Sequence, residues 1–202
     1  MRILETTIIY TALLAIALAG CATNTAVTER IREKSIEQEA VFQELTDGMP
    51  TSGFSVLTIQ ATMKTPKKGF YPLEFRSALH GKPEYPFVFN IGGQGVTWLA
   101  KGMPDIQQKT IEEKRNPEGG EGVKYILEKR IMLKPGTYKI YVGITEEALQ
   151  KEVDVTLSEG KVSVLQFIPI YFAGRFNRNA GSFYWGLRDF EVYLDGVRIN
   201  PK

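Results

Sequence analysis

From residue 54 onward, hydrophobic and polar positions alternate with a period of two, the spacing that puts every second side chain of a strand on one face of a sheet. FSVLTIQATMK, beginning at Phe54, sets Val56, Leu57 and Ile59 among Ser, Thr and Gln, while EYPFVFNI and GVTWLAK are short apolar runs on either side of a GGQG turn. YILEKRIMLK runs into the turn dipeptide Pro135–Gly136, and TYKIYVGI then places Tyr138, Ile140, Val142 and Ile144 on one face. EVDVTLS directs Val153, Val155 and Leu157 inward, Glu159–Gly160 turns the chain, and KVSVLQFIPIYF returns. In DFEVYLDGVRI, Asp195–Gly196 between β-rich flanks signals a hairpin. With no helix-period segment between these strands, the pattern predicts a mainly β fold, an antiparallel immunoglobulin-like or transthyretin-like β-sandwich over residues 51–202. Only 103–122, MPDIQQKTIEEKRNPEGGEG, escapes it; the charge there suits a short helix, an edge strand or a loop alike.

Upstream the pattern is different. Between Thr28 and Asp47 there is no Gly or Pro, Glu, Gln, Lys and Arg dominate, and Gly48 stands where a helix would stop. This predicts a helix over about Thr28 to Leu45. Its apolar residues Ile31, Ile36, Val41, Phe42 and Leu45 form only a loose stripe, which suits a solvated spacer whose C-terminal end docks on the domain. A partly disordered tether fits the same composition.

Residues 1–20, MRILETTIIYTALLAIALAG, open with Arg2, carry an uncharged apolar run from about Ile8 to Ala19 and end in small residues, the three regions of a secretory signal. A membrane-spanning helix needs roughly 18 or more apolar residues, whereas this run meets Gly20 and then the polar Thr23, Asn24 and Thr25. Leu18, Ala19, Gly20 and Cys21 resemble the lipobox of bacterial lipoproteins, in which the signal peptide is cut before a cysteine that carries lipid. The resemblance implies a diacylated or triacylated Cys21, a tether over 21–50 and a place in the cell envelope. Two or more acyl chains anchor stably where one does so only marginally. Ala22 after the cysteine, where an Asp would signal retention, implies the outer membrane. Glu5 departs from the usual purely positive first region.

Composition narrows the chemistry. Among 202 residues there is one Cys and one His, so no intrachain disulfide, Cys-rich zinc site or His-pair metal site can form. No metal and no cofactor is expected. A net charge of +2 supplies no long-range field of the kind that nucleic-acid binding exploits.

Leu133 to Ile140 (LKPGTYKI), then Val155 to Lys161 (VTLSEGK) and Leu165 to Pro169 (LQFIP), resemble the PEGA and carboxypeptidase-regulatory group of transthyretin-like sandwiches over about residues 125–171, although a literal Pro-Glu-Gly-Ala is missing. The resemblance implies an extracytoplasmic binding or spacer module with no activity attached. Pro-Gly is expected to fix where the strand begins, and Tyr138 to pack across the end of the sandwich with its hydroxyl in reach of backbone.

The most suggestive part of the mature chain is AGRFNRNAGSFYWGLR, residues 173–188. Arg175, Phe176, Arg178, Tyr184, Trp185 and Arg188 combine aromatic faces, which stack on sugar rings, with guanidinium forks that pair with phosphate or carboxylate. They are candidate contacts for an envelope protein, glycan or lipid headgroup; equally, the aromatics could cap the open end of the sandwich while the arginines snorkel. Gly92, Gly93 and Gly95 read as a β-turn, since neither a dinucleotide fingerprint nor a P-loop follows. His80, in LHGK, reads as an exposed turn residue, and Glu112–Glu113 and Glu146–Glu147 as solvated surface. Asp105, Glu118 and Glu121 do not have calcium-loop spacing. The sequence therefore predicts a non-catalytic binding or structural module held on the envelope by Cys21, against the alternative of an envelope hydrolase using carboxylates near 173–188 in a deep cleft.

Overall fold

The structure is a computed structural model that describes residues 40–46, 48, 51–75, 77–112, 114–174 and 177–199, with the side chains of 177–180 left out of the description. Among the described residues it is mainly β. Its strands are β1 (Phe42–Leu45), β2 (Ser55–Thr65), β3 (Glu84–Ile91), β4 (Gln94–Gln107), β5 (Thr110–Ile111), β6 (Lys114–Arg115), β7 (Gly120–Leu133), β8 (Gly136–Ile144), β9 (Leu149–Leu157), β10 (Val162–Tyr171), β11 (Ala173–Gly174), β12 (Asn177–Gly181), β13 (Leu187–Leu194) and β14 (Val197–Ile199). A 3-10 turn spans Phe183–Trp185.

Ten strands join in one sheet with the order β14-β13-β10-β2-β7-β4-β3-β8-β9, and β1 is added beside β7. Two features correct the antiparallel sandwich expected from the alternation. First, β2 and β10 run parallel, Val56 pairing with Val162 through to Ala61 with Phe167, so the sheet is mixed. Second, the sheet is continuous and curls until β9 and β13 meet, with Lys151 of β9 bridging to Asp189 of β13. The result is close to a barrel.

β4 makes the curl possible. Its first half pairs with β3, from Ile91–Gln94 to Glu84–Lys101, and its second half with β7, from Gly102–Tyr125 to Gln107–Gly120. Gly102 is the corner: a Cβ there would lie 2.8 Å from Lys82 O, Tyr125 Cε1 and Val123 Cγ1. The edge of β7 that β4 leaves is taken by β1, Phe42 pairing with Leu133 and Leu45 with Arg130. Phe42–Leu45 is thus a strand, which corrects the C-terminal part of the expected helix. Pairing with a vacant strand edge outweighs a local helical preference worth tenths of a kcal/mol per residue. Thr28 to Glu39, the rest of that helix, lies outside the described residues.

The period of two holds where it was read. Ile140, Val142 and Ile144 of β8 and Val153, Val155 and Leu157 of β9 are buried. Tyr85, Phe87, Phe89 and Ile91 of β3 are fully buried at every second position, as are Leu57, Ile59, Ala61 and Met63 of β2. Their rings fill the interior from side to side: Phe89 lies 5.2 Å from Trp98 and 5.9 Å from Phe167, which is 5.9 Å from Phe190.

The connections sort by length with one exception, the nine residues 46–54 between β1 and β2, which reach the end where the others are short. At one end are the short ones, Gly92–Gly93, Lys134–Pro135, Ser158–Lys161 and Asp195–Gly196. The first and last are hairpin turns as read, with positive φ at both central residues (57° and 103°; 51° and 79°). Pro135–Gly136 and Glu159–Gly160 are different: β7 and β8, like β9 and β10, are not neighbours, so these turns carry the chain across the barrel instead of back along the sheet. Tyr138 seals this end, donating from its hydroxyl to Lys134 O at 2.8 Å and packing against Gly92. Here too the chain arrives from its N-terminal segment, Val41 lying over Gly92 beside a groove of about 520 Å³ whose lining includes Phe42, Phe54, Met132 and Tyr138. At the other end are the long connections, 66–83, 108–119 and 172–186, with the turn 145–148. The segment 103–122 resolves into the end of β4, the small β5–β6 hairpin and the start of β7.

Candidate functional site

The long connections hold one another in place. His80, on 66–83, places Nδ1 at 2.8 Å from Glu74 Oε1 and Nε2 at 3.2 Å from Glu147 Oε1. The second oxygen of Glu147 accepts from the Leu187 amide at 3.0 Å, and Glu146 accepts from the Leu79 amide at 2.5 Å. One imidazole thereby ties the 66–83 connection to the 145–148 turn and to the start of β13. Its hydrogen bond to Glu147 raises the His80 pKa to about 9, with Glu74 adding to it against the opposing effect of burial. The expectation of an exposed turn histidine and of solvated Glu146 and Glu147 is corrected: the side chains of His80 and Glu147 are only 16% and 11% exposed. The two sides of this clamp lie 67 residues apart in the chain, and LHGK carries no sign of its partners.

Tyr71 extends the clamp. Its hydroxyl donates to Tyr184 O at 2.7 Å, and burial beside Glu147 and Glu74 pushes its pKa up to about 12. Phe70 stacks on Tyr184 at 4.8 Å. Gly120, at φ +118°, makes room for that tyrosine, since a Cβ there would lie 2.6 Å from its hydroxyl.

Beneath lies a buried lysine. Lys64 has the opposite parity to Ile59 and Met63 of β2, so its side chain leaves the barrel interior and enters the packing under 105–120. Its ammonium is fully buried and donates to Asp105 Oδ2 at 2.6 Å and to Glu118 O and Gly120 O at 2.9 Å, with the Phe183 ring at 4.7 Å. Burial would raise the Asp105 pKa, but the Lys64 ammonium holds it below the ordinary carboxylate range. Tyr171, Glu118, Lys124 and Gln107 continue the network. Three acceptors and a ring satisfy the ammonium completely, which makes it a structural cation. The available signal was a lysine inside an apolar strand, between Met63 and Thr65.

Of the residues singled out in 173–188, Arg175 and Phe176 lie outside the described residues; Arg178 falls on β12, where only the backbone is described. Tyr184 is half-buried and Trp185 is 54% exposed, packed over Gly174. Arg188 is exposed on β13. The capping and displaying alternatives divide between neighbours: Phe183 is fully buried and caps, whereas Trp185 is presented. The sequence reading missed the company it keeps. Phe70, Leu73, Phe75 and Phe172, from the connections at this same end, are 51%, 92%, 83% and 48% exposed.

Among the described residues no group of three or more His, Cys, Asp or Glu is placed to hold a metal ion, and no helix is long and apolar enough to cross a membrane. Cys21 lies outside the described residues. Comparison with models of protein families, with curated proteins and with solved structures finds no match.

Proposed function

We propose that this chain is a lipoprotein of the cell envelope, anchored by acylated Cys21, most simply in the outer membrane, and that its β domain is a non-catalytic module binding an envelope protein or glycan. The observation that carries the reading is the polarity of the barrel. Val41 and Phe42, in the described part of the tether, lie at the end with most of the short turns, and the long connections with their exposed aromatics project from the opposite end. A domain held at its short-turn end displays the aromatic end away from its anchor. Residues 1–20 serve as the signal peptide, 21–50 as lipidated tether and 51–202 as the displayed domain; the PEGA-like stretch over 125–171 agrees with an extracytoplasmic module.

A binding role also accounts for the carboxylates better than hydrolysis does. Glycoside hydrolysis needs two carboxyl groups roughly 5–10 Å apart across a cleft, with oxygens free for the reacting atoms. Glu74 and Glu147 spend both oxygens on His80 and on the Gly69 and Leu187 amides. The barrel interior is filled with rings and leaves no room for such a cleft there.

The anchoring half of the proposal is tested by metabolic palmitate labelling: wild type takes up label and Cys21→Ala does not. Equal labelling of the two refutes it. The binding half is tested by replacing Arg178 and Trp185 together with Ala. Capture of an envelope partner falls while the thermal unfolding midpoint is kept; a collapsed midpoint would assign the loop to capping alone.

A further inference from the structure

The 66–83 connection is turned inside out. Its backbone is ordered by four turns, the amides of Phe70, Glu74, Ala78 and Lys82 each donating to the carbonyl three residues back at 2.9 to 3.2 Å. Along this course the polar side chains face the protein: Glu74 accepts from the Gly69 amide at 2.7 Å and bonds to His80, and the Tyr71 hydroxyl donates to Tyr184 O. The apolar ones face out. Leu73 and Phe75 are the two most exposed large apolar side chains among the described residues, and Phe70 is half exposed. A single exposed leucine is ordinary. Three large apolar groups within six residues, with the carboxylate between them withdrawn, make an apolar tip.

Positive charge accompanies the tip. The 66–83 connection carries Lys67, Lys68, Arg76 and Lys82 against Glu74, and 172–186 carries Arg175 and Arg178 with no acidic residue. In 108–119 the two signs balance. The acidic turn 145–148 faces inward, Glu146 accepting from the Leu79 amide and Glu147 bonding to His80 and the Leu187 amide. On the β5–β6 hairpin, the exposed Ile111 stands across the ladder from Lys114, so that apolar and cationic groups again alternate at this end.

We propose that this end lies against an anionic lipid bilayer, with Phe70, Leu73 and Phe75 in the headgroup region and Lys68 at the lipid phosphates. Interfacial binding grows with the apolar area buried and with the attraction of cations to anionic lipid, and the loop offers both. Separate protruding side chains suit a fluid phase that moulds itself to each, whereas a protein partner would need a matching hollow for every one. The proposal goes beyond the function proposed above: it needs no acyl group on Cys21 and no ligand at 173–188.

The test is sedimentation of the whole mature chain, residues 21–202 with Cys21→Ala so that no acyl group contributes, with vesicles of phosphatidylethanolamine and phosphatidylglycerol or of phosphatidylcholine alone. The chain sediments with the anionic vesicles and far less with the neutral ones. Leu73→Ser with Phe75→Ser lowers the partition coefficient about tenfold or more, as the lost apolar burial implies. The unfolding midpoint of that variant stays where it was, since both side chains are exposed. The Cys21→Ala chain has no other cysteine, so Leu73→Cys, or Val197→Cys at the short-turn end, takes a polarity-sensitive fluorophore at one site. Emission shifts to the blue on anionic vesicles at 73 and not at 197. No sedimentation, equal binding to neutral vesicles, undiminished binding of the double variant, or a blue shift at 197 as large as at 73 overturns the proposal. Absence of sedimentation together with a crosslink from position 73 to an envelope protein in intact cells assigns the tip to a protein partner instead. Neither result touches the palmitate labelling that tests the anchor.

Discussion

Lys151 on β9 holds both carboxylate oxygens of Asp189 on β13, at 2.6 and 2.8 Å, across the seam where the ends of the curled sheet meet. No backbone ladder joins β9 to β13, so side chains such as this ion pair bridge the seam. Asp189 is 37% exposed, which limits the pair to less than about 1 kcal/mol. Lys151→Gln therefore leaves global stability almost unchanged and loosens the seam. Amide hydrogen exchange should quicken in β9 and β13 and stay constant in β2 and β7; uniform acceleration would show that the pair supports the whole barrel.

The His80 clamp predicts a pH dependence with a definite sign. His80 has a pKa of about 9 in the fold against an ordinary 6.5, so the folded state binds its proton more tightly than the unfolded chain. Its stabilisation is complete below about pH 6.5 and is lost as pH rises to about 9, a change of order 2–3 kcal/mol. Urea midpoints across this range should fall in wild type and lie flatter in His80→Gln. Parallel curves for the two proteins would locate the slope elsewhere.

Removing the buried cation at Lys64 strands its acceptors. Lys64→Met leaves Asp105 and the carbonyls of Glu118 and Gly120 without their donor and should cost about 3–5 kcal/mol. Lys64→Met combined with Asp105→Leu should recover part of the loss. A single-variant loss under about 1 kcal/mol, read from chemical denaturation, would mean that the network reorganises freely.

Tyr85 offers a stabilising change. Its hydroxyl is buried with no hydrogen-bond partner among the described residues, while its ring packs 5.1 Å from Tyr125. Tyr85→Phe keeps the ring and removes the unsatisfied group, raising stability by about 1 kcal/mol. A lower unfolding temperature for the variant would reveal a partner for that hydroxyl.

The strands were legible because burial on one face imposes a period of two whichever neighbour a strand takes, as in Val153, Val155 and Leu157. The same fact hid the topology. A parallel partner such as β10 for β2 leaves the alternation unchanged, and a turn that crosses the barrel, as at Glu159–Gly160, uses the same residues as one that reverses within the sheet. At Phe42–Leu45 local preference pointed to a helix, but Phe42 packs against Trp98 and Glu44 accepts from the Trp98 indole at 2.6 Å, contacts more than 50 residues away in the chain. In the site, Trp185 was visible as an aromatic among arginines. The exposed Phe70, Leu73 and Phe75 at the same end were not, because the connection that carries them is brought there by the pairing of β2 with β7 and β10.

The claim that the barrel is held at one end and binds with the other is tested most directly by site-specific photocrosslinking in intact cells, with the probe residue placed at position 185 or at position 93. Crosslinks to an envelope component at 185 and not at 93 are the result the polarity predicts. Crosslinks at 93 alone, or equally at both, would contradict it.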